Sequence, residues 1–295
     1  MTIDETISTG WAKHDTDPEG VLERAIGAIE EATGAHAVRL AGLVSHIAGE
    51  HLADPERGVV ALEALAVRAG ELAGPVHRTL ASLLWHQDRA RAEELLAAAI
   101  DPGHPPASSR IRTLCAAASM AAATGRTDDA AADLEEALAL AGEGLDRQDP
   151  AAKSLAISGN NIACGLEELT ARTPEQTSLM KRAAKTGRVW WEVAGDWNNV
   201  KIAEVRLCMT HLKAGEPEVA RAHATTAIEI CDDNDADQGS RFFPWLVRAE
   251  AELALGARDD ARDSMAVACA ALESTPAGMR GWCLQELDRV QALAR

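Results

Sequence analysis

Three stretches of this chain superimpose when they are counted from a glycine. Five residues after Gly125, Gly215 and Gly256 stand Ala130, Ala220 and Ala261. Nine after stand Leu134, Ala224 and Met265, and twelve after Ala137, Ala227 and Ala268. Ahead of each glycine lies a bulky residue: Leu114, Leu207 or Trp245. Reuse of one unit in this way restricts the fold sharply, because a repeated unit buries its apolar face on its neighbours and not in one central core.

The unit is helical. In Asp17-Pro18, Asp54-Pro55, Asp149-Pro150, Thr173-Pro174 and Glu216-Pro217 a proline follows a polar residue and precedes an apolar-periodic run. Proline suits the first turn of a helix, where its missing N–H would have been unpaired anyway. Gly125, Gly187, Gly215 and Gly256 fall where helices should stop, and no run of alternating apolar residues predicts a strand. Composition agrees: 60 of 295 residues are alanine, aromatics make up 3%, and there is no tyrosine. A sheet needs aromatic and β-branched side chains to fill its pleated faces. Antiparallel pairs are expected at 35–52 with 54–70, 74–86 with 88–100, 107–124 with 127–142, 150–171 with 174–194, 196–214 with 216–231, and 240–255 with 258–273. Lone helices are expected at 18–32 and 276–292. The clearest loops are 101–106 and 232–240.

The glycine-anchored pattern resembles the tetratricopeptide repeat (TPR), whose helix-turn-helix units place small residues where helices cross. An earlier unit with Ala92, Leu96, Ala99 and Ile100 fits without the glycine. Ala92 to Ala130, Ala130 to Ala220 and Ala220 to Ala261 are 38, 90 and 41 residues, longer than the family's spacing of about 34 or its multiples. Where the family carries aromatics this chain has Ala121, His211 and Glu252 in first helices, and Leu134, Ala224 and Met265 in second helices. The resemblance implies an all-α fold, a right-handed α-α superhelix of about six helix pairs with terminal helices. One domain is expected over 18–295, after a poorly ordered 1–17. It also implies a non-enzymatic scaffold binding a peptide or protein in a concave groove.

Forty-six acidic against 29 basic residues give a formal charge of −17. That disfavours nucleic acid and anionic membrane surfaces, whose binding draws on cations. Cys115, Cys164, Cys208, Cys231, Cys269 and Cys283 lie in apolar helical stretches without a C-x-x-C spacing, which fits buried thiols in a reducing compartment. The first residues lack a signal peptide's apolar run, no segment reaches a membrane span, and a cytoplasmic location is the expectation. No catalytic motif or cofactor fingerprint occurs, so no cofactor is expected; a homo-oligomer is one candidate assembly.

Candidate binding residues follow from the TPR register. Asn161-Ile162-Ala163 resembles the Asn-Leu-Gly turn of the family's first helix. The resemblance implies that Asn160 and Asn161 face the groove, each amide offering both donor and acceptor to an extended chain. In the same register Arg206 and Lys213 would receive a carboxylate, with Trp197 or Trp245 as an apolar wall. Asn198 and Asn199 read instead as helix caps. A regulatory sensor that responds to a small molecule or peptide is one alternative.

Three other features invite chemistry. His46 and His51 are five residues apart, about 140° around a regular helix, and cannot both face one metal from such a helix. His46 and Glu50 share a face and are the weak metal candidates, the basis of an alternative metal-dependent enzyme reading. Asp233, Asp235 and Asp237 imitate a calcium loop but place Gln238 and Pro244 where glycine and glutamate are required. Lys181, Arg182, Lys185 and Arg188 flank Ala183 and Gly187 in a spacing like a DNA-reading helix-turn-helix, yet Val189-Trp190-Trp191 offers few base-reading groups.

Overall fold

A computed structural model describes residues 2–99, 103–142 and 144–294, and among these every regular element is helical. The expected loop at 101–106 lies partly outside the described residues, as does Ile100 of the early repeat unit. Contacts cluster into two compact units, 1–158 and 159–295, where the sequence reads as one continuous domain.

The first unit holds α1 (Ile3–Lys13), α2 (Pro18–Gly27), α3 (Ala35–His46), a π-helical turn (Ile47–His51), α4 (Pro55–Ala69), α5 (Ala73–Leu84), α6 (Arg89–Ala98), α7 (Pro106–Ala123) and α8 (Thr127–Ala141). The segment expected to be poorly ordered carries α1. Thr2 and Glu5 close a capping box at its start, and Ile7 is buried against the following helices. Asp17 and Asp54 accept from the backbone N–H groups of Gly20 and Arg57, so the Asp-Pro pairs start helices as their chemistry requires. First helices pack on first helices, α3 on α5 and α5 on α7. The core is aliphatic: Leu22, Leu40, Leu43, Ile47, Leu62, Leu65, Ile111, Leu114 and Leu134 are fully buried, with Trp85 the one aromatic among the largest.

Helix α9 (Pro150–Glu167) carries the chain from one unit to the next. The second unit continues with α10 (Pro174–Ala194), α11 (Trp197–Lys213), α12 (Pro217–Asp233), α13 (Phe242–Ala254), α14 (Arg258–Leu272) and α15 (Ala277–Leu293). Here too α11 packs on α13 and α13 on α15. Its core includes one apolar cluster of Val205, Cys208, Ala220, Ala224, Ala227, Val247 and Ala251, and another of Phe242, Leu246, Ala268, Ala271, Cys283, Leu287 and Val290.

The glycine-anchored repeat is one structural event made three times. Gly125, Gly215 and Gly256 have φ of 77°, 75° and 76°. After each, a backbone N–H reaches back over the turn: Arg126 to the Ala121 carbonyl (2.8 Å), Glu216 to His211 (2.9 Å), Ala257 to Glu252 (2.9 Å). This is the Schellman closure of a helix, which a left-handed residue makes possible. The alanines at +5 and +12 are buried in all three hairpins. Each unit is therefore built from TPR-like helical hairpins, and the fold is all-α. The six cysteines are unpaired; burial pushes the Cys115 thiol up to about 12 and the Cys208 thiol higher still.

Candidate functional site

Helix α9 starts at Asp149, whose carboxylate accepts from Ala151 N–H (2.9 Å) and from the Ser108 hydroxyl (2.6 Å). It ends under Arg172, which donates to the carbonyls of Leu166, Glu167 and Leu169. The same guanidinium donates to the carbonyl of Lys213 (3.1 Å), so one arginine ties the ends of α9 and α11 together. On α9, Asn160 is half-buried and Asn161 exposed, and neither amide has a hydrogen-bond partner among the described residues. Lys213 is exposed and its ammonium carries no ion pair among the described residues.

Arg206 makes an internal ion pair. Its guanidinium pairs with Glu167, whose other oxygen accepts from the Thr210 hydroxyl (2.5 Å). Burial raises the Glu167 carboxyl above its ordinary value, and Arg206 and Thr210 offset part of that. Burial also works against the Arg206 charge, but Glu167 outweighs it and the net shift is upward. Nη1 makes this pair, while Nε of the same guanidinium is buried without a hydrogen-bond partner among the described residues.

Trp197 and Trp245 are half-buried, and each lies beneath a cation: Lys201 Nζ is 5.7 Å from the Trp197 ring and Arg248 is 5.3 Å from the Trp245 ring. Asn199 completes a capping box with Asp196, in line with its expected capping role, whereas the Asn198 side chain caps no helix end and accepts from Lys201 (2.8 Å). Two cations of the basic strip on α10 are paired: Lys181 with Glu216 (2.8 Å), and Arg188 with Glu204 (2.5 Å) and Glu192 (2.8 Å). Ala183 and Gly187, whose spacing resembled a DNA-reading motif, form the seat for Gly159 of α9. In the acidic loop, Asp237 caps Ser240 through both its N–H and hydroxyl, and Asp232 pairs with Arg241.

The N-terminal histidines show what sequence spacing missed. After α3 the backbone widens into the π turn, with Leu52 N–H bonded to the Ile47 carbonyl five residues back (2.9 Å). The extra residue per turn swings His51 back over His46, and their Nε2 atoms lie 3.1 Å apart. The expectation that five-residue spacing keeps these rings apart holds only for a regular helix. Glu50 bonds His46 Nδ1 at 2.9 Å, as the shared face predicted. His14, which stands at the C-cap of α1, joins them: its ring centre is 5.1 Å from each of the other two. Trp11 lies 5.2 Å from His46. Burial, then His46 and His14, push the His51 imidazole below its ordinary value. Only the crowding of histidines in the N-terminal part of the sequence hinted at this cluster, because α1 and the π turn meet through tertiary packing.

No family model matches this chain, and no curated protein matches it. Among solved structures it is similar to a signal transduction ATPase with numerous domains (STAND) protein with a tetratricopeptide repeat sensor from Pyrococcus horikoshii. The identity is 11% and the TM-score 0.48, over 94% of this chain and 42% of that one. This chain thus spans less than half the length of that protein. No described helix is long and apolar enough to cross a membrane.

Proposed function

We propose that the protein is a non-enzymatic scaffold whose TPR-like hairpins bind an extended peptide or protein segment along α9 and α11. The observation that carries this reading is the pair of unspent amides, Asn160 and Asn161, on a helix whose other polar side chains are largely committed. An amide supplies a donor and an acceptor, so two adjacent ones can grip the N–H and C=O of an extended backbone. Lys213 supplies the cation for a carboxylate, and Arg206, held by Glu167, fixes the packing behind it. Trp197 and Trp245 present half-buried rings suited to an apolar side chain of the ligand.

A displayed library of random peptides with free C-terminal carboxylates tests this. Enriched peptides should lose binding to Asn161→Ala protein and weaken on Lys213→Glu, with circular dichroism unchanged. Enriched peptides that bind both variants as they bind the parent would refute the assignment of this surface.

A further inference from the structure

The ring nitrogens of His14, His46 and His51 come within 4.8 Å of one another, where the end of α1 meets the π turn. We propose that this cluster is a binding site for one divalent transition-metal ion of the zinc class, held by the three imidazoles with its fourth position facing Asp15.

The His46–His51 spacing matches such a site, and the widest separation in the cluster, up to 4.8 Å, closes by about 1.5 Å when the imidazoles turn in on one ion. Zinc binds imidazole nitrogen at about 2.0–2.1 Å, which puts neighbouring ligand atoms of a tetrahedron roughly 3.3 Å apart. His46 Nε2 and His51 Nε2 are 3.1 Å apart. Asp15 Oδ1 stands 3.4 Å from His14 Nε2 and 3.9 Å from His51 Nε2. Small adjustments of exposed Asp15 complete the tetrahedron, and water can take the same position.

Proton placement favours a cation as well. His14 Nδ1 is 2.7 Å from the Trp11 carbonyl and His46 Nδ1 is 2.9 Å from the Glu50 carboxylate. Both partners only accept, so both Nδ1 atoms donate, and in the neutral rings both Nε2 atoms present bare lone pairs. The His51 N–H can satisfy one of them but not both. A metal ion satisfies all three nitrogens together. The carboxylate behind His46 and the carbonyl behind His14 are the outer partners that orient metal-binding imidazoles. Three imidazoles suit zinc, copper, nickel or iron, whereas calcium and magnesium call for an oxygen-rich set. The π turn is the device that brings His46 and His51 to one ion, and such turns often mark functional positions.

The test uses the untagged full chain, stripped with a chelator and titrated with Zn²⁺ alone by calorimetry and with Co²⁺ by visible absorption. One ion per chain and intense tetrahedral Co²⁺ bands are expected. His14→Ala and His51→Ala should each abolish uptake, Glu50→Gln should weaken it about 10–100-fold, and His104→Ala should leave it unchanged. If the alanine variants lose helicity, paramagnetic shifts of the His14, His46 and His51 ring protons in the parent protein bound to Co²⁺ assign the ligands directly. Failure of the parent to take up an ion, uptake that persists in folded His14→Ala and His51→Ala, or shifts on other histidines would overturn the site.

Discussion

Gly159 on α9 and Gly187 on α10 cross so closely that a Cβ on Gly159 would stand 2.5 Å from the Gly187 backbone nitrogen and 2.6 Å from the Ala183 carbonyl oxygen. Both obstacles are main chain and cannot rotate away. Gly159→Ala should therefore separate the helices and cost about 1–3 kcal/mol. Urea denaturation of the two proteins checks it; an unchanged midpoint would mean that the helices part at no cost.

The hairpin glycine acts through a different physical effect. Around Gly215 nothing lies within 4 Å of a built Cβ, yet its φ is 75°. Gly215→Ala meets no neighbour and suffers only the left-handed backbone penalty, roughly 1–2 kcal/mol. Gly125→Ala and Gly256→Ala should cost the same within error, since their φ values and closing bonds agree. Three matched denaturation curves decide this.

Asp133 joins two donors in the first unit. Its carboxylate accepts from Nε1–H of Trp85 (3.0 Å), a ring 1% exposed, and lies 2.7 Å from His86 Nε2. Asp133→Ala leaves a buried indole N–H unpaired and should destabilise by about 1–3 kcal/mol. Asp133→Asn keeps an acceptor and should recover part of the loss. Tryptophan emission alongside calorimetric melting separates the two variants.

Glu204 carries a pH prediction. Burial alone would raise its carboxyl, but bonds from His223 and Arg188 outweigh it and hold the group below its ordinary value of 4.5. A carboxylate depressed by folding contributes stability that is fully present above the unfolded value and lost as pH falls through the folded one. Stability should thus decline as the pH drops below about 4.5. Glu204→Gln should start less stable at neutral pH and lose less on acidification. Equal slopes in parent and variant would contradict the assignment.

Much of the fold could be read from local chemistry. Asp-Pro and Thr-Pro pairs start helices because capping needs only a side-chain oxygen and a free N–H nearby. The three glycines stop helices because only glycine takes a positive φ without penalty, and the alanines counted from them are buried in every hairpin. The aminoterminal helix is not legible in local chemistry alone, because it rests on Ile7 packing on later helices as well as on a capping box at Thr2. Arg206 was open to a ligand in the sequence, since nothing local announces that Glu167, 39 residues earlier, neutralises it.

The histidines mark the boundary between the two kinds of information. By itself the sequence determined a helical repeat, its hairpin ends, its acidic surface and the presence of His46 and Glu50 on one face. Those depend on backbone preferences and on side chains within a turn or two of each other. Whether His46 and His51 face apart or together depended on the winding of one turn, and a regular helix holds them about 140° apart. Tertiary structure decided it: the chain winds as a π turn beside α4 and α7, and α1 delivers His14 from more than thirty residues away. Contacts between elements, not spacing along the chain, set the position of those three rings.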